Sequence, residues 1–463
     1  MKPLLIFSLA TGLVFSAVAQ TKLPAPGKPK DFNLPAVKKW QLDNGLKASV
    51  VPYGSIPKVY IEIVVKTGMV HEPQDARWLA RFTGKLMEEG STRYNLETIS
   101  KKAAAMGGRV TIAVGMETIT IGGSVLSEFA PDYIALIADL LQHPAFRDDA
   151  TDRLKNDLKR ELNLRKVQPS AQANEKFLSL VFGDHPYASQ LPTEAMVDGF
   201  SAAKAKQFYA SQFGAERTAI YVAGKFDDKA VEKAIGDNFK QWAKGPAVSY
   251  PAAVAKKTDS LAIVERPDAP QTVVMLGGPV IDPTHADYTK LEVTNSLLGG
   301  SFGSRITTNI REDKGYTYSP FSTILNRQKI GVWYEKADVT SENTAASLLE
   351  IKKEMDKVQA IPVPADELKG IQNYEAGSFV ITNSSAEGII NQLQFMDQNG
   401  LKMTYLTNRI KDIYSVTPTD VQAMAKKYLN YPVMTLVMVG DRKQIDAQLP
   451  AIRESRNAAK KGF

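Results

Sequence analysis

The chain has 463 residues, of which 44% are hydrophobic and 23% charged, and its formal net charge is +7. This balance is typical of a soluble globular protein and excludes collagen-like, low-complexity and disordered classes. The absence of cysteine excludes disulfides, Cys-based zinc fingers, iron–sulfur clusters and thiol catalysis. The length exceeds what one hydrophobic core holds, so two or more domains are expected.

The N-terminus has the pattern of an export signal. Lys2 precedes an apolar run, and Ala17 and Ala19 match an A-x-A cleavage site. Because the run is shorter than the roughly 20 residues that span a bilayer, we expect cleavage before Gln20 rather than a retained anchor. Residues 1–19 are therefore predicted to be a signal peptide, and the mature protein to be periplasmic or secreted, with no stable membrane insertion.

The predicted elements alternate between strand and helix patterns. In chain order they are a strand at 59–67, a helix at 77–91, strands at 108–115 and 117–125, helices at about 128–142 and 147–167, and a strand within 219–231. Adjacent strands joined by short turns, with helices grouped between them, indicate an α+β domain.

An internal repeat extends this pattern to the second half. The segments 68–76 and 278–286 match at an offset of 210 residues, and 154–164 resembles 368–378 at an offset of 214. The sequence therefore predicts an α+β fold of two homologous domains of about 210 residues, each with a mainly antiparallel or mixed sheet flanked by helices.

The predicted boundaries follow from the repeat and from composition. An N-terminal domain spans 31–243, a linker rich in Pro, Ala and Gly spans 244–258, a C-terminal domain spans 259–452, and a basic tail spans 453–463. Outside the tail, Lys and Arg alternate with acidic residues, and no basic run interleaves with aromatic residues. No nucleic-acid partner is therefore expected.

The residues alone offer little evidence of a metal site. The chain has four histidines, none within helical reach of another, so an H-E-x-x-H zinc motif is absent. Glu161 lies on a helix among leucines, where a solvent-facing charge is its plainest interpretation. The segment 299-GGSFG-303 lacks the lysine of a phosphate loop.

The residues best suited to catalysis or ligand binding lie at 299–322. Arg311 and Tyr318 are seven residues apart across a tight turn at 313–316, which would place a cation and a phenol on one surface. Such a pair suits binding of a peptide carbonyl or carboxylate, or stabilisation of an oxyanion. An aromatic-capped hairpin with an exposed arginine explains the same pattern equally well.

With these blocks in view, the sequence resembles the pitrilysin/insulinase family of zinc metallopeptidases. The resemblance runs over nearly the whole mature chain and is strongest at 68–91, 182–187 and 299–319. It implies a clamshell built from duplicated α+β domains. Catalytic members have an inverted zinc motif, H-x-x-E-H, and a third ligand, a glutamate, some 76 residues beyond the second histidine.

At the motif's positions this chain departs from the family pattern. Arg81 replaces the first histidine, Gly84 the general-base glutamate and Lys85 the second histidine, whereas Glu161 matches the distal glutamate. Neither arginine nor lysine offers a lone pair to a metal at neutral pH. We therefore expect this chain to bind no metal, and Arg81 or Lys85 to form an ion pair with Glu161 in the metal's place.

The resemblance also implies a role for the second half. Arg311 and Tyr318 match the pair that contributes to substrate carbonyl binding, and in two-chain members this pair and the zinc motif lie on different subunits. We therefore expect an exported, non-zinc-binding subunit, inactive alone and without a cofactor of its own. It would bind peptide and contribute Arg311 and Tyr318 to a zinc-bearing homologous partner. The alternative is a pseudo-peptidase that acts as a peptide-binding or structural assembly protein.

Overall fold

The computed structural model describes residues 35–188, 191–256 and 260–461. The predicted signal peptide and its cleavage site lie outside these residues. Two sheets, one in each half of the chain, organise the described part. Helices pack on both faces of each sheet, which confirms the predicted α+β class with two homologous domains.

The first sheet has six strands in the order β1-β2-β6-β3-β5-β4. Only the β2–β6 pair is parallel, and the other neighbours are antiparallel. The strands are β1 (Lys38–Gln41), β2 (Lys47–Pro52), β3 (Lys58–Val65), β4 (Thr111–Val114), β5 (Ile119–Leu126) and β6 (Thr218–Gly224).

The second sheet has five strands in the order β7-β11-β8-β10-β9, with β7 and β11 parallel. Its strands are β7 (Leu261–Glu265), β8 (Gln271–Val280), β9 (Phe321–Arg327), β10 (Ile330–Thr340) and β11 (Thr435–Gly440). Without β1, the first sheet has the same order and the same single parallel pair. The duplication inferred from the sequence is therefore present in the topology.

Helices connect and cover the strands. In the first half they are α1 (Leu79–Glu88), α2 (Leu96–Ala105), α3 (Ala130–Gln142), α4 (Thr151–Val167), α5 (Pro169–Phe182), α6 (Glu194–Asp198), α7 (Ala202–Gln212) and α8 (Asp228–Phe239). In the second half they are α9 (Tyr288–Asn295), α10 (Thr344–Ala360), α11 (Ala365–Thr382), α12 (Ala386–Asn399), α13 (Thr404–Thr407), α14 (Arg409–Ser415), α15 (Pro418–Tyr428) and α16 (Arg442–Lys461). Two π-helical segments, Ser296–Gly300 and Thr307–Asp313, follow α9.

Each half covers one face of the other half's sheet. Helix α5 of the first half places Phe177 and Val181 against Val437 of β11, in a buried apolar cluster. Helix α12 of the second half places Ile389 against Tyr221 of β6 in the same way. Strands covered on both faces are apolar along their length, and every residue of β6 and of β11 is buried.

Glu117 joins the two halves by hydrogen bonds. This buried carboxylate, in the turn between β4 and β5, accepts from the Tyr187 hydroxyl at 2.6 Å and from the Gln328 backbone N–H at 2.8 Å. The Gln398 side-chain amide of α12 also donates to it. One acidic side chain in the β4–β5 turn therefore connects this turn to the β9–β10 turn of the other sheet and to the end of α12.

The predicted linker and the predicted basic tail both contain residues that pack against the rest of the chain. Tyr250 of the predicted linker packs against the cluster under α5, and the carbonyl of Ser249 lies 2.7 Å from the His71 ring. The predicted basic tail continues α16 to Lys461, and the buried Arg456 donates to the Met434 carbonyl at 2.6 Å. The predicted boundary at 452 therefore falls inside a helix.

A search of the described residues for helices that could cross a bilayer, by length and apolar character, finds none.

Replacing Glu117 with alanine is expected to destabilise the protein by about 2–4 kcal/mol, because three buried or half-buried donors lose their acceptor. Urea denaturation of the purified chain measures the change. The matched control is Glu454→Ala at an exposed position of α16, which should cost less than about 0.5 kcal/mol. Equal stability of the two variants would contradict the joining role of Glu117.

Candidate functional site

The helix with the altered motif begins at a strained residue. Trp78 precedes α1 with φ 72°, in the left-handed region that a bulky residue rarely adopts, and its ring is buried. Glu72 compensates by accepting hydrogen bonds from the backbone N–H groups of Trp78 at 2.9 Å and Ala80 at 2.8 Å. The start of α1 is therefore fixed by a carboxyl group outside the helix.

An ion pair occupies the position expected for the metal. The Arg81 guanidinium donates to Glu161 Oε1 of α4 at 2.6 Å, and Arg165, one turn further along α4, lies 3.0 Å from the same oxygen. The Trp78 ring lies beneath both cations, 4.6 Å from Arg81 and 5.8 Å from Arg165. Of the two predicted partners of Glu161, the structure therefore selects Arg81.

The remaining motif positions are also unsuited to a metal. A Cβ atom at Gly84 would lie 2.6 Å from a methyl group of Val114 in β4, so the strand fills the space of a side chain there. Lys85 is half-buried and has no hydrogen bond or ion pair to another described residue. Within the described part of the chain, no cluster of three His, Cys, Asp or Glu side chains could hold a metal ion.

These side chains do not fit zinc. The one glutamate that could coordinate a cation is already bound by two guanidinium groups, and guanidinium keeps its proton at any pH a protein experiences. No imidazole lies at the site. The residues at this position therefore form a cationic cluster, composed of Arg81, Lys85, Glu161 and Arg165, rather than a coordination sphere.

The second cluster lies at Arg311. Its guanidinium carbon is 4.5 Å from the centre of the Phe302 ring and 4.7 Å from that of Tyr318. Both rings are exposed, at 70% and 79%, whereas the Arg311 side chain is only 22% exposed. Two aromatic rings therefore contact one cation, and Glu312 binds its Nε at 3.1 Å.

Local backbone geometry positions Arg311 and Tyr318. Arg311 lies in the π-helical segment Thr307–Asp313, and Gly315 at φ 65° makes the left-handed turn that follows. Beyond the turn, Thr317 forms a β-bridge with Val339, and its hydroxyl donates to the Asp338 carbonyl at 2.8 Å. The predicted juxtaposition of the cation and the phenol is therefore present.

The two clusters are separate within the chain. Among the described residues, no hydrogen bond, ion pair or ring contact joins Arg81 or Glu161 to Arg311 or Tyr318. Sequence reasoning did not single out Trp78, Arg165 or Phe302. The sequence could have indicated the contact of Arg165 with Glu161, since the two lie four residues apart on a predicted helix. The aromatic contacts depend on tertiary packing.

Comparison with known proteins decides the family. A model of the insulinase family, peptidase family M16, matches residues 52–193, and a model of the M16 inactive domain matches residues 199–374. The chain belongs to the M16 family, the pitrilysin/insulinase peptidases. The altered zinc motif lies in the first match, and Arg311 and Tyr318 lie in the second.

The relatives of this M16 chain are distant in sequence. A zinc protease of Bacillus subtilis, YmxG, is 24% identical over 62% of this chain and 69% of its own length. A zinc protease of Streptomyces coelicolor is 22% identical over 89% and 91%. Both are described as uncharacterized.

Solved structures share the fold over most of the chain. The crystal structure of a peptidase M16 inactive domain from Pseudomonas fluorescens has a TM-score of 0.81 at 23% identity, and covers 88% of this chain and 98% of its own. A protease from Helicobacter pylori also has a TM-score of 0.81, at 17% identity, over 88% and 100%. This chain is thus an inactive-type M16 peptidase homologue by family and fold.

Restoring the zinc motif should require room for a side chain at position 84 as well as metal ligands at positions 81 and 85. We expect the triple variant Arg81→His, Gly84→Glu, Lys85→His to bind zinc weakly and to lose about 1–3 kcal/mol of stability, because the new side chain at position 84 overlaps Val114. Adding Val114→Ala should recover stability and tighten zinc binding. Zinc titration and urea denaturation measure the two effects. Stoichiometric tight binding by the unaltered chain would contradict the structure of the site.

Glu72 should make stability depend on pH. Burial raises the pKa of its carboxyl from 4.5 to about 8. Because the folded state then holds the proton more tightly than the unfolded state, the free energy of unfolding should be highest at low pH and fall as pH rises toward and through about 8, by at most about 1.4 kcal/mol per pH unit. Urea denaturation across this range should show a flatter profile for Glu72→Gln, but an unchanged slope for the exposed-site control Glu454→Gln.

Proposed function

We propose that this M16 chain is a non-zinc-binding subunit of a heteromeric peptidase. It is exported by the predicted signal peptide, binds an unfolded peptide and contributes Arg311 and Tyr318 to the zinc site of a homologous partner. The chain has no hydrolytic activity alone, because Gly84 provides no general base and Arg81 blocks the metal position.

One contrast supports this proposal most directly. In the first half, Arg81 is bound to Glu161 and occupies the metal's place. In the second half, Arg311 is paired with Glu312 through Nε, and the Tyr318 ring beside it is 79% exposed. A chain whose metal position is filled by an ion pair, and which retains the arginine and tyrosine of the carbonyl-binding pair, can contribute that pair to another chain's zinc site.

The geometry at Arg311 suits a carbonyl or carboxylate ligand. The Phe302 and Tyr318 rings lie against the guanidinium of Arg311, and its N–H groups point outward in the guanidinium plane, so an oxygen that accepts from them lies in that plane. Glu312 binds Nε, so the two terminal nitrogens remain as donors. With the Tyr318 hydroxyl beside them, these donors can stabilise the negative charge that develops on a scissile carbonyl oxygen.

A sheet edge supports the peptide-binding part of the proposal. Among the described strands β4 pairs only with β5, so its other edge has no strand partner, although the Ile112 backbone of β4 is hydrogen-bonded to the Glu88 carboxyl. An extended peptide can add to such an edge as a further strand. Helix α1 packs beside this edge, because Val114 of β4 contacts Gly84.

The second candidate function is that of a pseudo-peptidase in an assembly. A chain of complex III2 from Candida albicans shares the fold with a TM-score of 0.76, at 15% identity over 92% of this chain and 100% of that chain. The observation in its favour is that an ion pair fills the metal position, because a structural role requires no metal. On this alternative, Arg311 and Tyr318 would have no catalytic effect.

Reconstitution distinguishes the two candidates. The purified chain is mixed with a zinc-bearing M16 homologue from the same cell, and hydrolysis of a fluorogenic peptide is measured. We expect activity from the mixture alone, and a loss of about 10- to 100-fold in kcat/KM for Arg311→Ala or Tyr318→Phe in this chain.

The matched control is Arg453→Ala, which removes an exposed guanidinium of α16 and should leave kcat/KM unchanged. If the two chains form a complex whose activity is insensitive to Arg311 and Tyr318, the scaffold alternative stands. If no complex forms and no activity appears with any zinc-bearing homologue, the subunit proposal is wrong.

A further inference from the structure

We propose that the cationic cluster of Arg81, Lys85 and Arg165 is a binding site for a carboxylate group of a peptide. The inference rests on the proposed function only in taking a peptide as the ligand. The inference gives the altered zinc motif a binding role of its own, whereas the subunit proposal assigns no role to these residues.

The first support is the number of cations. Arg81 and Lys85 lie one helical turn apart on α1, so their side chains share a face. Arg165 approaches from α4 and binds the same carboxylate as Arg81. Two guanidinium groups thus bind Glu161, and Lys85 lies on the same face of α1 as Arg81.

Other acidic groups face the cluster but do not balance it. Glu72 lies near Arg81, and burial raises the pKa of its carboxyl to about 8, so that it is mostly neutral at pH 7. Glu88 lies near Lys85, and burial raises its pKa as well. Glu72 also accepts hydrogen bonds from backbone N–H groups rather than from the cations. Even with Glu88 ionised, the three cations outnumber the carboxylates of Glu161 and Glu88, so the cluster retains net positive charge.

Donors remain available for a ligand. Arg81 uses one terminal nitrogen for Glu161, and Trp78 covers one face of its guanidinium. Lys85, whose ammonium has three donors, has no hydrogen bond or ion pair to any described residue. A half-buried lysine one turn from an anchored arginine is suited to a charge-assisted hydrogen bond with an incoming anion.

The substitutions keep the sign of the charge that a metal would supply. Two monovalent side-chain cations stand in for one divalent ion, and Glu161 is retained. The lone pairs that coordinate a metal are lost, but attraction for a carboxyl oxygen remains. The position is therefore able to hold a peptide without activating water.

The location favours a peptide over a free anion. Gly84, the neighbour of Lys85, is packed against Val114 of β4, and β4 has an open edge. A peptide extended along this edge would bring its end or a side chain to the cationic face of α1. The carboxylate could be the C-terminal group or an acidic side chain, because both present the same two oxygens.

The test measures peptide binding to the full mature chain, without any partner. Fluorescence anisotropy compares a short labelled peptide with a free C-terminus, the same peptide amidated, and an amidated peptide containing glutamate. We expect a carboxylate-bearing peptide to bind about tenfold more tightly than the neutral amide. Whichever of the two carboxylate-bearing peptides binds more tightly identifies the source of the carboxylate.

Variants at Lys85 decide whether the cluster is responsible. Lys85→Gln should abolish the preference and Lys85→Arg should retain it. Both should fold, because each replaces the half-buried Lys85 with another polar side chain that suits a helix. The matched control is Lys229→Gln, which removes an exposed cation of α8 and should leave the preference intact.

Two results would overturn the inference, and they differ in what they say of the proposed function. If the chain binds all three peptides equally, or Lys85→Gln retains the preference, peptide binding stands and the carboxylate site is wrong. If no peptide binds at all, the peptide-binding part of the proposed function fails together with this inference, whereas the reconstitution assay still reports on Arg311 and Tyr318.

Discussion

The architecture depends on the need to cover four sheet faces with helices from one chain. Each half covers one face of its own sheet, and the second face is covered by a helix from the other half, α5 or α12. Fully buried side chains such as Phe177 and Ile389 contribute about 1.5–3 kcal/mol each, more than an exposed ion pair provides. Neither half can therefore separate without exposing an apolar sheet face to water.

This exchange fixes the positions of both clusters. Helix α4, which holds Glu161, leads directly into the exchanged helix α5, so the packing of α5 on the second sheet anchors the end of α4. Glu117 secures the same junction by polar contacts with Tyr187 and Gln328. The cationic cluster and the Arg311 cluster belong to one compact unit, although among the described residues no direct contact joins them.

The cationic cluster shows how a metal position can be lost without loss of structure. In the absence of a metal the half-buried Glu161 needs another counter-ion, because an unpaired buried charge is costly. Arg81 supplies that counter-ion at 2.6 Å, and the Trp78 ring beneath it limits its motion. Val114 fills the space that a larger residue than Gly84 would need. The replacements support one another, so restoring one motif residue at a time is not expected to restore metal binding.

The sequence by itself determined the duplicated α+β class, the absence of metal ligands at Arg81, Gly84 and Lys85, and the pairing of Arg311 with Tyr318. The class follows from the repeat and the strand and helix patterns, the family resemblance places the motif and the pair, and the chemistry of Arg81 and Lys85 excludes them as metal ligands. It indicated two partners for Glu161 without choosing between them, and it gave no sign that residues 453–461 continue a helix.

Tertiary structure alone decided which cation binds Glu161, that Phe302 also contacts Arg311, and that each half covers the other's sheet. These depend on distances between residues far apart in the chain, such as the 80 positions that separate Arg81 from Glu161. Local sequence patterns constrain which face of a helix is apolar, but not which sheet it meets. The physical reason is that the hydrophobic effect is non-directional: burial against any apolar surface is favourable. Only the packed chain specifies which apolar surfaces meet.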